Sequence, residues 1–65
     1  QEVMKIVQNM PDGYRTVFNM YIIDDMSHQE IAQSLRINEA TSRSQLFKAR
    51  NYIRTTLINQ KKITL

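Results

Sequence analysis

One glycine and one proline in 65 residues, with no cysteine, is the feature that most narrows what this chain can fold into. Hairpins and long linkers draw on Gly and Pro, and no stretch alternates apolar and polar residues for a useful length. The expectation is an all-α fold. A chain this short holds one core beside which no second can form, and this excludes most enzymes. Domains of this size lean on a disulfide, a metal or tidy helix packing. The missing cysteines remove disulfides, thiolate zinc sites and cysteine nucleophiles together, and His28 is the sole histidine. Helix packing is left.

Spacing predicts four helices. Val3, Ile6, Val7 and Met10 follow the i, i+3, i+4, i+7 pattern of one helical face. Pro11 stops that helix and opens the next, because proline disfavours helical geometry just before it but suits a first helical position. Tyr14, Val17, Phe18 and Tyr21 repeat the spacing, with Ile22 widening the stripe, and the helix is expected to end near Asp24-Asp25. Two acids there oppose the negative end of the helix dipole. Ser27-His28-Gln29-Glu30 has the form of a capping box, which starts a short third helix with Ile31, Ala32 and Leu35 inside. Arg36-Ile37 interrupts it before Asn38, a good N-cap. The longest helix then runs from Glu39 to about Asn59 on a stripe of Leu46, Ala49, Ile53 and Leu57, and Gln60 to Leu65 read as a frayed tail.

Charge divides the chain. Residues 1–35 carry Lys5 and Arg15 against Glu2, Asp12, Asp24, Asp25 and Glu30, a net of −3. Residues 36–65 carry Arg36, Arg43, Lys48, Arg50, Arg54, Lys61 and Lys62 against Glu39, a net of +6. The second half suits a polyanion, most often nucleic acid. No apolar run approaches the roughly eighteen residues that span a bilayer, and residues 1–20 lack the basic-then-apolar pattern of a signal peptide, so a soluble chain with no membrane partner is expected. The start at Gln1-Glu2, with a helical pattern already under way at Val3, suggests a single domain over residues 1–65 cut from a longer polypeptide.

A short capped helix, a turn with an apolar residue and a second helix make a helix-turn-helix, whose second helix enters the major groove. Taking Leu46 as the centre of the inner stripe, Arg43, Ser44, Phe47, Lys48 and Asn51 fall on an arc of roughly 60° to 200° at 100° per residue. Arg43 can pair with a guanine, Ser44 can donate or accept, Lys48 can meet guanine or phosphate, and Phe47 can pack on a thymine methyl. The bland alternative is a solvated polar face with Phe47 folded against a neighbour.

The run Met10-Pro11-Asp12-Gly13-Tyr14-Arg15-Thr16-Val17-Phe18, the run Ser27-His28-Gln29-Glu30-Ile31-Ala32 and the string Thr41-Ser42-Arg43-Ser44-Gln45-Leu46-Phe47-Lys48-Ala49-Arg50 resemble region 4 of sigma-70 family RNA polymerase sigma factors. The likeness is greatest to the extracytoplasmic-function group and covers Val3 to about Ile58. It implies a small four-helix domain of the winged-helix-like or sigma region 4 type. It also implies binding to the minus-35 promoter element in the bacterial cytoplasm, and a region 2 elsewhere in the longer chain. Base-reading positions of the family correspond to Arg43, Ser44, Phe47 and Lys48. Backbone-contacting positions correspond to Ser27, His28, Gln29, Thr41 and Arg50, with Arg15 and Arg36 as further candidates. Implied partners are promoter DNA, the flap of the polymerase beta subunit and an anti-sigma factor. Asp25 and Arg36 stand where the family commonly has glycine, and a positive φ at either would cost roughly 1 kcal/mol. Gln45 replaces a common arginine, with expected effects on affinity or base preference.

Other chemistry finds little support. His28 has no second ligand at metal spacing, and without the resemblance it reads as a surface residue. Asp24 and Asp25 diverge in direction as consecutive residues do, and read as solvated turn acids. Met4, Met10, Met20 and Met26 read as core filler, and Tyr14 and Tyr21 as core residues with hydroxyls at the rim. No catalytic residue, metal, cofactor or small-molecule substrate is expected. Two readings from other classes stay open at this point: a response-regulator output domain that binds palindromic DNA as a dimer, and a domain that only docks a partner helix.

Overall fold

The computed structural model describes residues 2–64, with side chains described for residues 3–60. Helix α1 spans Glu2–Asn9, α2 spans Asp12–Phe18, α3 spans His28–Leu35 and α4 spans Glu39–Thr64. No strand, and hence no wing, occurs among the described residues. The fold is all-helical, as the scarcity of Gly and Pro predicts.

The core forms two adjoining clusters against α4, which packs on α1, α2 and α3. In the first, Val7 and Met10 meet Ala49, with Tyr14, Phe18, Tyr52 and Ile53 closing the sides. In the second, Val17, Ile31 and Leu46 interlock beneath Phe18, Met20, Tyr21, Met26 and Leu35. The predicted inner faces therefore hold, apart from Val3 and Ile22, which stay exposed. Met10, Met20 and Met26 fill the core, whereas Met4 is half exposed and does not. Burying these side chains contributes about 25 cal/mol per Å² of apolar surface.

Two stretches differ from the expectation. After Phe18 the second helix widens into a π-helical turn over Asn19–Ile23, with Asp24 N bonding to Asn19 O across five residues. A wider turn advances each residue by less than the α-helical step, so the stripe that Ile22 was expected to widen rotates away. Ile22 is 47% and Ile23 58% exposed. The second difference is at the end of α4, which continues through Thr64 rather than fraying from Gln60. Gln60 to Thr64 contain no helix breaker, and Gln and Lys are good helix formers. Leu65 lies outside the described residues.

The junctions bear out the cap chemistry. Ser27 Oγ accepts from Glu30 N at 3.1 Å while Glu30 Oε1 accepts from Ser27 N at 2.8 Å, a complete capping box. Asn38 Oδ1 accepts from Thr41 N at 2.7 Å and caps α4. Arg36, with φ 59° and ψ 45°, ends α3, and both its amide and that of Ile37 donate to Ala32 O. Asp25 closes the π-helical turn with φ 58°. Both non-glycine residues at glycine-favouring positions thus occupy the left-handed region.

A stability prediction follows from that geometry. Replacement of Asp25 by Gly relieves the αL penalty, and part of the gain is lost to the freer unfolded chain, for a net of about 0.5–1 kcal/mol. Thermal unfolding of D25G should show a midpoint higher by about 2–8 °C with DNA binding unchanged. Arg36→Gly should stabilise to a similar degree.

Candidate nucleic-acid interface

Helix α3, the turn Arg36-Ile37-Asn38 and the first turns of α4 form the helix-turn-helix. Its two helices are pinned in three places. Ile31 is fully buried against Val17 and Leu46, Arg36 turns the chain, and His28 Nδ1 lies 2.8 Å from Ser42 Oγ. Ser42 has no exposed surface, and the His28 ring stacks on Tyr21 with centroids 4.6 Å apart and planes 20° from parallel. A small side chain at Ser42, one turn before Leu46, lets the start of α3 approach α4.

The opposite face of α4 is open. Arg43, Ser44, Phe47 and Lys48 are all exposed. Phe47 is 65% exposed, so it is not folded against a neighbour. Asn51, on the same predicted arc, is half-buried beside Tyr14 and Tyr52. Gln45, where the resemblance has a common arginine, is half-buried: its Oε1 has no hydrogen-bond partner and lies 3.3 Å from where a Cβ on Gly13 would be. Gly13 lets α2 come this close.

The predicted backbone-contacting residues fall into two sets. Ser27, Gln29, Arg36 and Arg50 are exposed, at the start of α3, in the turn and along α4. His28 and Thr41 are half-buried, the first held by Ser42 and Tyr21, the second lining a groove with Val17, Leu35 and Ile37. Arg15 is committed elsewhere. Its guanidinium donates to Gln8 O at 2.9 Å and pairs with Asp12, so it fastens α1 to α2. Ser27 and Glu30 occupy each other in the capping box, which leaves the amides of His28 and Gln29, in the first turn of α3, without an intrahelical acceptor. Such amides suit an anion.

Arg43 is not wholly free in the unbound protein. Its Nη1 sits 3.4 Å from Glu39 Oε1, one turn back. An exposed pair of this kind is worth about 0.2–1 kcal/mol, and any outside contact of the Arg43 guanidinium competes with it. Replacing Glu39 with Gln should therefore tighten duplex binding by roughly two- to fivefold, while the lost acid in the first turn lowers stability by about 0.3–1 kcal/mol. Fluorescence anisotropy with a labelled duplex measures the first and thermal unfolding the second.

Two structural residues went unflagged in the sequence. Ser42 carries the sole side-chain bond between α3 and α4 among the described residues, and its signal was position: four residues before Leu46, it shares the inner face. Tyr52 packs into the first cluster, and its hydroxyl donates to Asn9 O at 3.4 Å, tying α4 to the end of α1. Among the described residues no group of three or more acids or histidines is placed to hold a metal, and no helix is long and apolar enough to cross a membrane.

Comparison with known proteins agrees with this arrangement. Residues 1–53 match the family model described as Sigma-70, region 4. Searches of curated proteins and of solved structures return no match. The matched segment contains α1 to α3 and α4 as far as Ile53, with Arg43, Ser44, Phe47 and Lys48 inside it. That family is a DNA-binding one and not a catalytic one, acting with promoter DNA and RNA polymerase. With its helix-turn-helix, its basic open face and more than three quarters of its length inside the match, the chain belongs to the sigma-70 region 4 family of sigma-factor domains that act in transcription initiation.

Proposed function

We propose that the outer face of α4 reads the minus-35 promoter element, in a sigma factor of the extracytoplasmic-function kind. Arg43, Ser44, Phe47 and Lys48 are the base-reading residues. Ser27, His28, Gln29, Arg36 and Arg50 hold the phosphates on either side, and Thr41 contributes from the groove edge. Arg15 is left out of the phosphate set because it is engaged at the α1–α2 junction. The observation that carries this reading is Phe47, 65% exposed among Arg43, Ser44 and Lys48 on the second helix of the motif. A large apolar side chain held in water on a basic face gains most by packing on a thymine methyl. Phosphate contacts set register and base contacts set sequence, so the two sets divide affinity from specificity.

The acidic first half keeps the polymerase-facing surface apart from DNA. The beta-subunit flap docks there, and an anti-sigma factor competes for the same helices. Tethering to polymerase supplies much of the effective affinity, so the isolated domain binds weakly. Selection of short duplexes from a random pool at low salt tests the reading. An asymmetric recovered site is expected; an inverted repeat would instead indicate a dimeric regulator.

A further inference from the structure

The pairing of His28 with Ser42 specifies where the histidine proton resides. We infer that Ser42 fixes that proton on Nε2, making His28 a hydrogen-bond donor to a DNA phosphate through that nitrogen; the DNA side of this inference rests on the reading above.

Ser42 has no exposed surface, and its hydroxyl has one side-chain partner, His28 Nδ1 at 2.8 Å. A buried hydroxyl proton without an acceptor costs about 1–3 kcal/mol, so the Ser42 O–H donates and Nδ1 accepts. A neutral imidazole with an accepting Nδ1 carries its hydrogen on Nε2. The Tyr21 ring, stacked 4.6 Å away at 20°, holds the imidazole plane. The far nitrogen is left for an outside partner. Among the described residues the buried side-chain nitrogens and oxygens lacking a partner are Asn19 Oδ1 and Gln45 Oε1. Nε2 also lacks a protein partner and is not among them, so it reaches solvent. It does so at the first residue of α3, where the backbone amides of the first turn have no intrahelical acceptor. Ser42 is a positioning residue: it touches no DNA and acts through the ring.

At about pH 8, where an ordinary histidine is neutral, such a donor has a distinctive consequence. It strengthens phosphate binding without releasing a counterion, whereas each neutralising arginine or lysine contributes about 0.9 to the slope of log K against log salt.

The test begins with the unbound 65-residue chain. Long-range ¹H–¹⁵N correlation spectra of the imidazole at about pH 8, where an ordinary histidine is neutral, should show the Nε2–H tautomer in the wild type and a mixture in Ser42→Ala. An Nδ1–H pattern in the wild type would overturn the inference. Binding is then titrated with salt at the same pH on a non-specific duplex, because a phosphate contact does not depend on sequence. His28→Ala should weaken binding about tenfold with an unchanged salt slope, and Arg50→Ala should lower the slope by about one. Ser42→Ala should weaken binding roughly three- to fivefold in the wild type and not at all in His28→Gln, whose amide nitrogen replaces Nε2 without needing Ser42. Unchanged affinity in His28→Ala, or a slope reduced by one, contradicts the proposal. Should Ser42→Ala fail to fold, the wild-type spectrum and the His28 variants decide. A missing preference for promoter over random duplex counts against the minus-35 reading and leaves these measurements intact.

Discussion

Ile31→Ala is expected to unfold a large fraction of the molecules at room temperature. Ile31 is fully buried between Val17 and Leu46, where α2, α3 and α4 meet. Truncating a side chain so placed costs about 2–5 kcal/mol, through lost transfer free energy and the cavity left behind. A domain of this size is stable by only about 3–5 kcal/mol. The change thus removes most of the margin. Because Ile31 joins the scaffold to the helix-turn-helix, relaxation around the cavity also frees α3 from α4, and DNA binding falls with the fold. Thermal unfolding followed by circular dichroism should place the I31A midpoint at least about 10 °C below wild type. Ser44→Ala, on the exposed face, should leave it within about 4 °C, as surface substitutions stay near ±0.5 kcal/mol. A small shift for I31A would mean that the second cluster is not the centre of the fold.

The other large effect concerns specificity. Arg43 lies on the exposed arc of α4, held only by a surface pair with Glu39. A bidentate contact to guanine discriminates by about 1–3 kcal/mol, roughly five- to a hundredfold. Arg43→Ala should therefore lose affinity for the preferred site while keeping most of its affinity for unrelated duplex. Arg50 is also exposed on α4, but is assigned to phosphate. Its removal should weaken all duplexes alike, most visibly at low salt.

Most of this architecture can be read from the sequence because it rests on local chemistry. The S-x-x-E box and Asn38 mark helix starts through bonds made within four residues, Pro11 marks one through its fixed φ and missing N–H, and the i, i+3, i+4 spacing marks Val7, Met10, Val17, Ile31 and Leu46 as interior. Arg43, Ser44, Phe47 and Lys48 are legible as an exposed face for the same reason: once Leu46 points inward, 100° per residue places the rest. What escapes the reading depends on geometry between helices. The π-helical turn after Phe18 breaks the 100° rule and exposes Ile22. Gln45 is half-buried because Gly13, 32 positions earlier, lacks a Cβ. Arg15 is drawn to Gln8 O by the angle between α1 and α2, and Ser42 is buried because α3 crosses α4 at His28.

The positive φ at Asp25 and Arg36 belongs between these cases. The family resemblance marks both positions as glycine-favouring, yet only backbone geometry establishes that the strain is present. At Arg36 the cost falls where an exposed positive charge borders the recognition helix. At Asp25 no such compensation is visible, and nothing in the structure explains the aspartate.

The central claim is that α4 reads base edges with Arg43 and its neighbours. The most direct test compares affinities of wild type, Arg43→Ala and Arg50→Ala for the selected duplex and for a scrambled duplex at one fixed salt concentration. The account predicts that Arg43→Ala lowers the ratio of the two affinities about five- to a hundredfold, while Arg50→Ala leaves that ratio unchanged. An Arg43→Ala loss equal on both duplexes would contradict it.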